Sequence, residues 1–402
     1  MAQPYHFLNF SPHLVNFQAY PYDKSVAAVG GGHDRTLHKS AFEKLQTPIS
    51  PTPSPVSGEC TKIRISRRIL PGKLKMKRSI VMKKVICIAL ALILVLSCFA
   101  GCSKKSEGYR IAIVQQLEHS SLDEIRHSVE ARLQYQAEKK GITITVETFN
   151  GQNDATLLNQ IGTQVVSEGY DAIIPIATLA AQCMVTAAEG TDIPIIYAAI
   201  SDPEAAGLTG LDRVTGTSDA LNTPFILDMM LAVQPEVKTV GLLYSNSEAN
   251  SAAPIAQAKE YLTAKGIDFL EKTGTTSDEI ITAANALVGR VDAVFTPTDN
   301  TVMAAEGAVA EILTAAGIPH YTGADSFVQS GAFVTCGVNY TELGGATADM
   351  ALDILLGGEV PDYKVMDGGI ITVNTETAAA LGLNYAVYSS MANTVVEVTT
   401  GD

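Results

Sequence analysis

From Tyr109 onward, short apolar runs alternate with amphipathic stretches, and few folds accommodate that order. Tyr109–Val114 reads as a strand and Ser121–Lys140 as a helix. Ile142–Phe149 alternates as a strand, and 154–168 reads as a helix capped by Asp154. Ala172–Ile176 is a buried strand, Leu179–Ala188 a helix and Ile193–Ala198 a further strand. Repeated strand–helix units of this length imply a parallel, doubly wound sheet.

The pattern then starts again. Thr239–Tyr244, Phe269–Lys272 and Ala293–Thr296 read as strands; Ala253–Lys265, Ser277–Leu287 and Asn300–Ala315 read as helices. Tyr170-Asp171-Ala172-Ile173-Ile174 and Val291-Asp292-Ala293-Val294-Phe295 match across the two halves. The expected fold class is therefore α/β, with two doubly wound parallel-sheet lobes joined by a hinge. Lobe 1 is expected over 109–220 with part of 340–402, and lobe 2 over 221–337. Residues 338–402 hold the hinge return and C-terminal elements: a helix to about Leu356, a strand at Ile370–Val373 and a helix from Thr375 to Leu381. The links are expected near Gly216–Asn222 and Gly337–Tyr340, while 382–402 carry no clear pattern. A chain of 402 residues with 47% hydrophobic residues suits two such cores.

Charge is split unevenly. Residues 1–101 hold 14 of the 28 Lys and Arg but 4 of the 42 Asp and Glu, leaving the rest with a net of −24. Such a body repels phosphate backbones, so no nucleic-acid partner is expected. It suits a soluble monomer. The cysteines show neither a CxxC nor zinc spacing, and Cys183 and Cys336 read as buried thiols, with a disulfide between them left open.

Residues 82–101 read as an export signal. Met82-Lys83-Lys84 is followed by Val85–Ala100, in which Ser97 is the polar exception. The run is short for a membrane span. It ends in Phe99-Ala100-Gly101-Cys102, which resembles a bacterial lipobox, although Phe99 stands where Leu is usual. Cys102 is the expected lipidation site; Val95-Leu96-Ser97-Cys98 is the alternative. Residues 102–108 form a polar tether. Residues 1–81 are rich in Pro, Ser, His and basic residues and precede a signal that belongs at an N-terminus. They read as a non-native extension, with the start at Met82 or Met76. The expected location is extracytoplasmic, with a lipid anchor in the cell membrane.

In open α/β sheets, ligands bind beyond the carboxyl ends of the strands. Here those ends carry polar loops. They place Gln116, Glu118 and His119 after strand one, then Ala177 and Thr178, then Ser201 and Asp202. The crossover holds Thr217, Ser218 and Asp219. The second half adds Asn246, Ser247, Glu248, Asn250 and Ser251, then Thr298, Asp299 and Asn300, then Asp325, Ser326 and finally Asn339. Hydroxyls and helix-start amides, as at Thr178, Ser218, Ser247, Asn250 and Ser251, suit a ligand carboxylate. Glu118, Asp299 and Asp325 suit an ammonium. Any one of these residues could serve simply as a helix cap. Their recurrence at strand ends in both halves points to a cleft. Tyr197, Tyr244, Phe327 and Tyr340 lie nearby in sequence and could form either an aromatic slot or core.

Ile113-Val114-Gln115-Gln116-Leu117-Glu118-His119, Ala177-Thr178, Ser201-Asp202-Pro203, Val214–Asp219, Ser247–Ser251 and Pro297-Thr298-Asp299-Asn300 occur in an order and spacing that resembles one family. It is the ABC-transporter substrate-binding lipoprotein family that includes tryptophan- and tyrosine-binding proteins. The resemblance runs from about Tyr109 to Leu383; Leu179 departs from it, where Pro is frequent. It implies a type I periplasmic-binding-protein fold and capture of a small amino-acid-like solute, aromatic by the relatives' example. It also implies a membrane permease and an ATPase as partners; the chain has no Walker sequence of its own. Closure of two lobes over the ligand would be the mechanism. A sensory receptor of the same fold is the alternative. Catalysis is not expected: there is no GxSxG elbow, and His119, His127 and His320 are scattered. No cofactor or metal is expected either.

Overall fold

The computed structural model describes residues 108–401; Cys102, the export signal and residues 1–81 lie outside them. Lobe 1 is built on a six-stranded sheet. Its strands are β1 (Gly108–Gln115), β2 (Thr143–Asn150), β3 (Ala172–Ile176), β4 (Ile195–Tyr197), β5 (Val214–Ser218) and, late in the chain, β11 (Lys364–Val365). They lie in the order β11-β5-β4-β3-β1-β2, all parallel. Strands β1 and β3 are central and apolar on both faces, whereas β2 alternates at the edge.

Helix α1 (Ser120–Lys140) buries Leu122, Ile125, Val129 and Leu133, a three-to-four-residue spacing that lays one stripe on the sheet. Helices α2 (Ala155–Glu168) and α3 (Thr178–Ala187) cover the other face, and Asp154 caps α2 through the N–H groups of Thr156 and Leu157. Lobe 2 has strands β6 (Thr239–Ser245), β7 (Asp268–Gly274), β8 (Ala293–Thr296), β9 (His320–Thr322), β10 (Val334–Gly337), β12 (Ile370–Asn374) and β13 (Thr394–Val398). Their order is β13-β12-β10-β9-β8-β6-β7. The lobe's helices are α4 (Thr223–Val233), α5 (Ala252–Lys265), α6 (Ser277–Asn285), α7 (Asn300–Met303), α8 (Glu306–Ala315), α9 (Asp325–Gln329) and α11 (Thr375–Leu381).

The chain crosses between lobes after β5, after β10 and after β11. The second crossing leads into α10 (Tyr340–Leu355), which packs on α1 in lobe 1. The third returns the chain to lobe 2 from the hinge side. Strand β12 therefore starts beside the end of β10, with Gly337 opposite Ile370, and the pair is antiparallel in an otherwise parallel sheet.

Several elements differ from the sequence expectation. The segment 300–315 forms two helices rather than one, broken at Ala304–Ala305, and the second begins at Glu306, whose side chain is buried against His320. Gly216–Ser218, expected as part of the crossover, belong to strand β5, their backbone paired to β4 and β11. Residues 382–402 supply a 3₁₀ turn at Ala386–Ser390 and the edge strand β13. Cys183 and Cys336 are free, buried and in different lobes.

Helices α1 and α10 approach closely at Gly344. A Cβ there would stand 2.6 Å from the Ile125 carbonyl oxygen and 2.8 Å from Ser128 Cβ. Ser128 Oγ also donates to the Thr341 carbonyl at 2.6 Å across the same crossing. Gly344→Val is expected to force the helices apart and destabilise the fold by about 1–3 kcal/mol. Urea unfolding checks this through a lower midpoint at unchanged slope.

Candidate ligand cleft

The carboxyl ends of both sheets meet across the hinge, and the lobes are closed on each other. Gln116 Nε2 donates to Glu248 Oε1 at 3.0 Å, and Ser121 Oγ to Asp325 Oδ1 at 2.7 Å. Ser201 and Thr298 hydroxyls lie 2.9 Å apart, Asn153 Nδ2 donates to Thr301 Oγ1 at 3.3 Å, and His119 Nε2 lies 3.3 Å from Asn300 Oδ1. Each of these joins one lobe to the other. They surround a cavity of about 30 Å³, room for a water or two. A larger solute fits only with the lobes further apart than they stand here.

The cavity is walled by His119, Ser121 and Leu122 at the start of α1, by Ala177 and Thr178 at the start of α3, and by Ala199, Ser201 and Asp219. Lobe 2 contributes Asn250, Thr298, Asp299, Asn300, Met303, Ala324, Ser326 and Phe327, and Tyr340 opens α10. Sequence reasoning names the polar members. It misses Leu122, Ala199, Met303 and Ala324, whose apolar side chains look like core, and reads Ser121 only as the start of a helix. Of the four aromatics it leaves open, Phe327 and Tyr340 wall the cavity. Tyr197 packs in the core of lobe 1, and Tyr244 donates to Glu271.

Other predicted residues lie around the cavity rather than in its wall. Gln116 is a buried bracket: its Oε1 accepts from Leu179 N and its Nε2 reaches Asn153 and Glu248. Glu248 and Ser251 are buried behind the wall, Ser251 donating to Asp299 at 2.6 Å. Thr217 bonds Thr347, Ser218 caps Ala220 N, Asp202 accepts from Ala205 N and Asn339 caps α10. Asp325 is held by Ser121. Glu118, Asn246 and Ser247 are exposed; Asn246 bonds Thr273 and Ser247 bonds Ser245.

Three enclosed polar atoms have no protein partner and belong to residues walling the cavity: His119 Nδ1, Asn250 Oδ1 and Ser326 Oγ. Their polarity follows from their neighbours. Asn250 Nδ2 donates to the Thr298 carbonyl, so Oδ1 is a bare acceptor. Asn300 Nδ2 donates to Glu248 Oε2 at 3.0 Å, so Asn300 Oδ1 accepts, and the His119 Nε2 facing it carries the proton. Burial lowers the His119 pKa to about 4, which keeps the ring neutral and leaves Nδ1 an acceptor.

The electrostatics point the same way. Burial raises the pKa of Asp219, Asp299 and Asp325 and pushes Glu248 up to about 8. The neighbouring Asp299 adds to the rise at Glu248. Asp299 in turn accepts from Ser251 Oγ, Ser245 N and Val302 N, which stabilises its charge, so Glu248 holds the proton of the pair. No Lys or Arg walls the cavity. It is a place that wants donors and positive charge.

Backbone geometry adds amides. Helices α1 and α3 begin at the cavity without a cap from their own N-cap side chains, unlike α2, α4, α6, α10 and α11; Leu179 N of α3 is taken by Gln116 Oε1, and the remaining first-turn N–H groups have no partner within their helix. Ala177 and Ala199 hold φ of 74° and 57°, a conformation that costs a residue with a Cβ, and both wall the cavity. Among the described residues no cluster of His, Cys, Asp and Glu could hold a metal.

Two α/β lobes hinged around a polar cavity are the architecture of a solute-binding protein. The family model of the ABC transporter substrate binding protein matches residues 110–393. The chain belongs to that family. It is 32% identical over 322 residues to a tyrosine-binding protein of Clostridioides difficile, covering 75% of this chain and 93% of that one. A Streptococcus pneumonia domain solved in complex with L-Trp is 28% identical, with a TM-score of 0.67, over 72% of this chain and all of that one. The ligand-free, open structure of a substrate-binding protein from Clostridium difficile is 33% identical, over 73% of this chain and 99% of that one. Its TM-score is lower, at 0.56. The poorer superposition despite higher identity agrees with lobes that are closed here.

Proposed function

We propose that the protein is an extracytoplasmic receptor of an ABC importer that captures a free amino acid with an aromatic side chain. Its two lobes close over the ligand, and the closed form is what a membrane permease and its ATPase receive. The observation that carries this is the pair of bare acceptors, His119 Nδ1 and Asn250 Oδ1, on residues that wall the cavity from opposite lobes with no Lys or Arg among its lining. A ligand ammonium supplies donors to both at once and ties the lobes together. Its carboxylate goes to the Ser326 hydroxyl and the first-turn amides of α1 and α3. Leu122, Met303, Phe327 and Tyr340 provide the apolar wall for a ring. The relatives that bind tyrosine and tryptophan support the choice of ligand. Anchoring through diacylglycerol on Cys102 is supported by the signal and lipobox pattern before it. The protein acts as a monomer and needs no cofactor.

A thermal-shift screen of the twenty amino acids, nucleosides, sugars and short peptides tests the reading. L-tyrosine, L-tryptophan or L-phenylalanine is expected to raise the melting temperature, with about 2.7 kcal/mol of stabilisation at a hundredfold excess over Kd. A shift with sugars or nucleosides and none with amino acids would overturn it.

A further inference from the structure

Behind the lobe 2 wall of the cleft lies a buried polar chain that the cleft itself does not use. Glu306 Oε1 lies 2.9 Å from His320 Nδ1, and His320 Nε2 lies 2.8 Å from Thr296 Oγ1. All three residues are buried, and Glu306 Oε2 has no partner. Isolated in a core, such a chain costs free energy relative to apolar packing. Its position suggests what it does. The His320 ring stands edge to face with the Phe327 ring at 6.4 Å and 89°, and Phe327 walls the cleft. Thr296 is the last residue of β8, two residues before Thr298 at the cavity. Glu306 starts α8 where the helix breaks after Met303, which is also in the wall.

We infer that Glu306, His320 and Thr296 form a positioning chain that fixes the Phe327 ring and the loop after β8, and so set which aromatic side chain the cleft accepts. With Glu306 and Thr296 at its two nitrogens, the imidazole has one orientation, and Phe327 rests against it. Without Glu306 the imidazole is free to turn and the ring slot loses its fixed depth. This rests on the reading of the cleft as an aromatic amino-acid site.

Calorimetric titration of the full chain with L-tyrosine and L-tryptophan tests it, using Glu306→Leu, Glu306→Gln and Thr296→Val. In Glu306→Leu the ratio of the two dissociation constants is expected to change by about tenfold, the size of effect a pocket of altered depth produces. Glu306→Gln, which still bonds Nδ1, is expected to keep the ratio within about threefold of the parent. A purely structural role would lower the melting temperature and leave the ratio intact in the cold; that result overturns the inference. If Glu306→Leu does not fold, an unchanged ratio in Thr296→Val overturns it equally. If the unaltered protein binds neither amino acid, the aromatic reading falls first and the inference with it.

Discussion

Asn250→Leu is expected to lower the affinity for an aromatic amino acid by on the order of 100-fold, about 2–3 kcal/mol. Leucine has nearly the shape of asparagine, so the substitution removes chemistry and leaves packing in place. It takes away the acceptor at Oδ1, which no protein group satisfies. An ammonium enclosed beside it would then lack a partner, and an unpaired buried charge is costly. The free protein should hardly notice. It loses the Nδ2 bond to the Thr298 carbonyl but also sheds a buried orphan, and these effects offset to within about 1 kcal/mol. Titration calorimetry with a parallel urea melt separates the two. Tight binding retained in a folded Asn250→Leu protein would count against the ammonium position.

Closure itself should depend on pH. In the closed form the Glu248 carboxyl is pushed up to about 8, from an ordinary value of 4.5, by burial and by Asp299 beside it. When the lobes part, Glu248 loses its Gln116 partner from lobe 1 and meets water. Between about 4.5 and 8, closing therefore takes up a proton there, and this contribution weakens as pH rises through that window. His119 has the opposite sign. Its ring is held neutral with a pKa of about 4 against 6.5, so closing releases a proton below 6.5 and weakens as pH falls toward 4. The two effects cancel between about 4.5 and 6.5. Above 6.5 the opposing His119 contribution is complete, and through Glu248 ligand affinity is expected to fall by about tenfold by pH 8. Glu248→Gln imitates the protonated carboxyl and keeps a group for Gln116. It should flatten that slope, and a slope identical to the parent's would refute the assignment to Glu248.

Much of this architecture is written in local sequence. The strands Ala172–Ile176 and Ala293–Thr296 are short apolar runs entering polar loops, and Asp154 announces its helix. Gly216–Ser218 are different: small and polar, they look like a loop, and pairing with β4 and β11 makes them strand. The break after Met303 is likewise not written locally, since Ala304 and Ala305 are good helix formers; it lies beside the buried Glu306–His320 contact. In the cleft, strand-end position finds His119, Thr178, Asn250 and Ser326. It does not separate them from Glu118 or Asn246, because a loop's sequence does not say which side chain turns inward. Leu122 and Met303 carry no polar signal at all. Gln116, a candidate ligand contact by position, is instead the bracket that joins α3, Asn153 and the opposite lobe.

The proposed mode of capture is a ligand nitrogen that bridges the two lobes. A crystal structure with L-tyrosine or L-tryptophan bound tests it most directly. The ligand's ammonium should lie at about 2.7–3.2 Å from both His119 Nδ1 and Asn250 Oδ1, with its carboxylate toward the starts of α1 and α3. A ligand carboxylate facing Asn250, or a ligand held by one lobe alone, would contradict it.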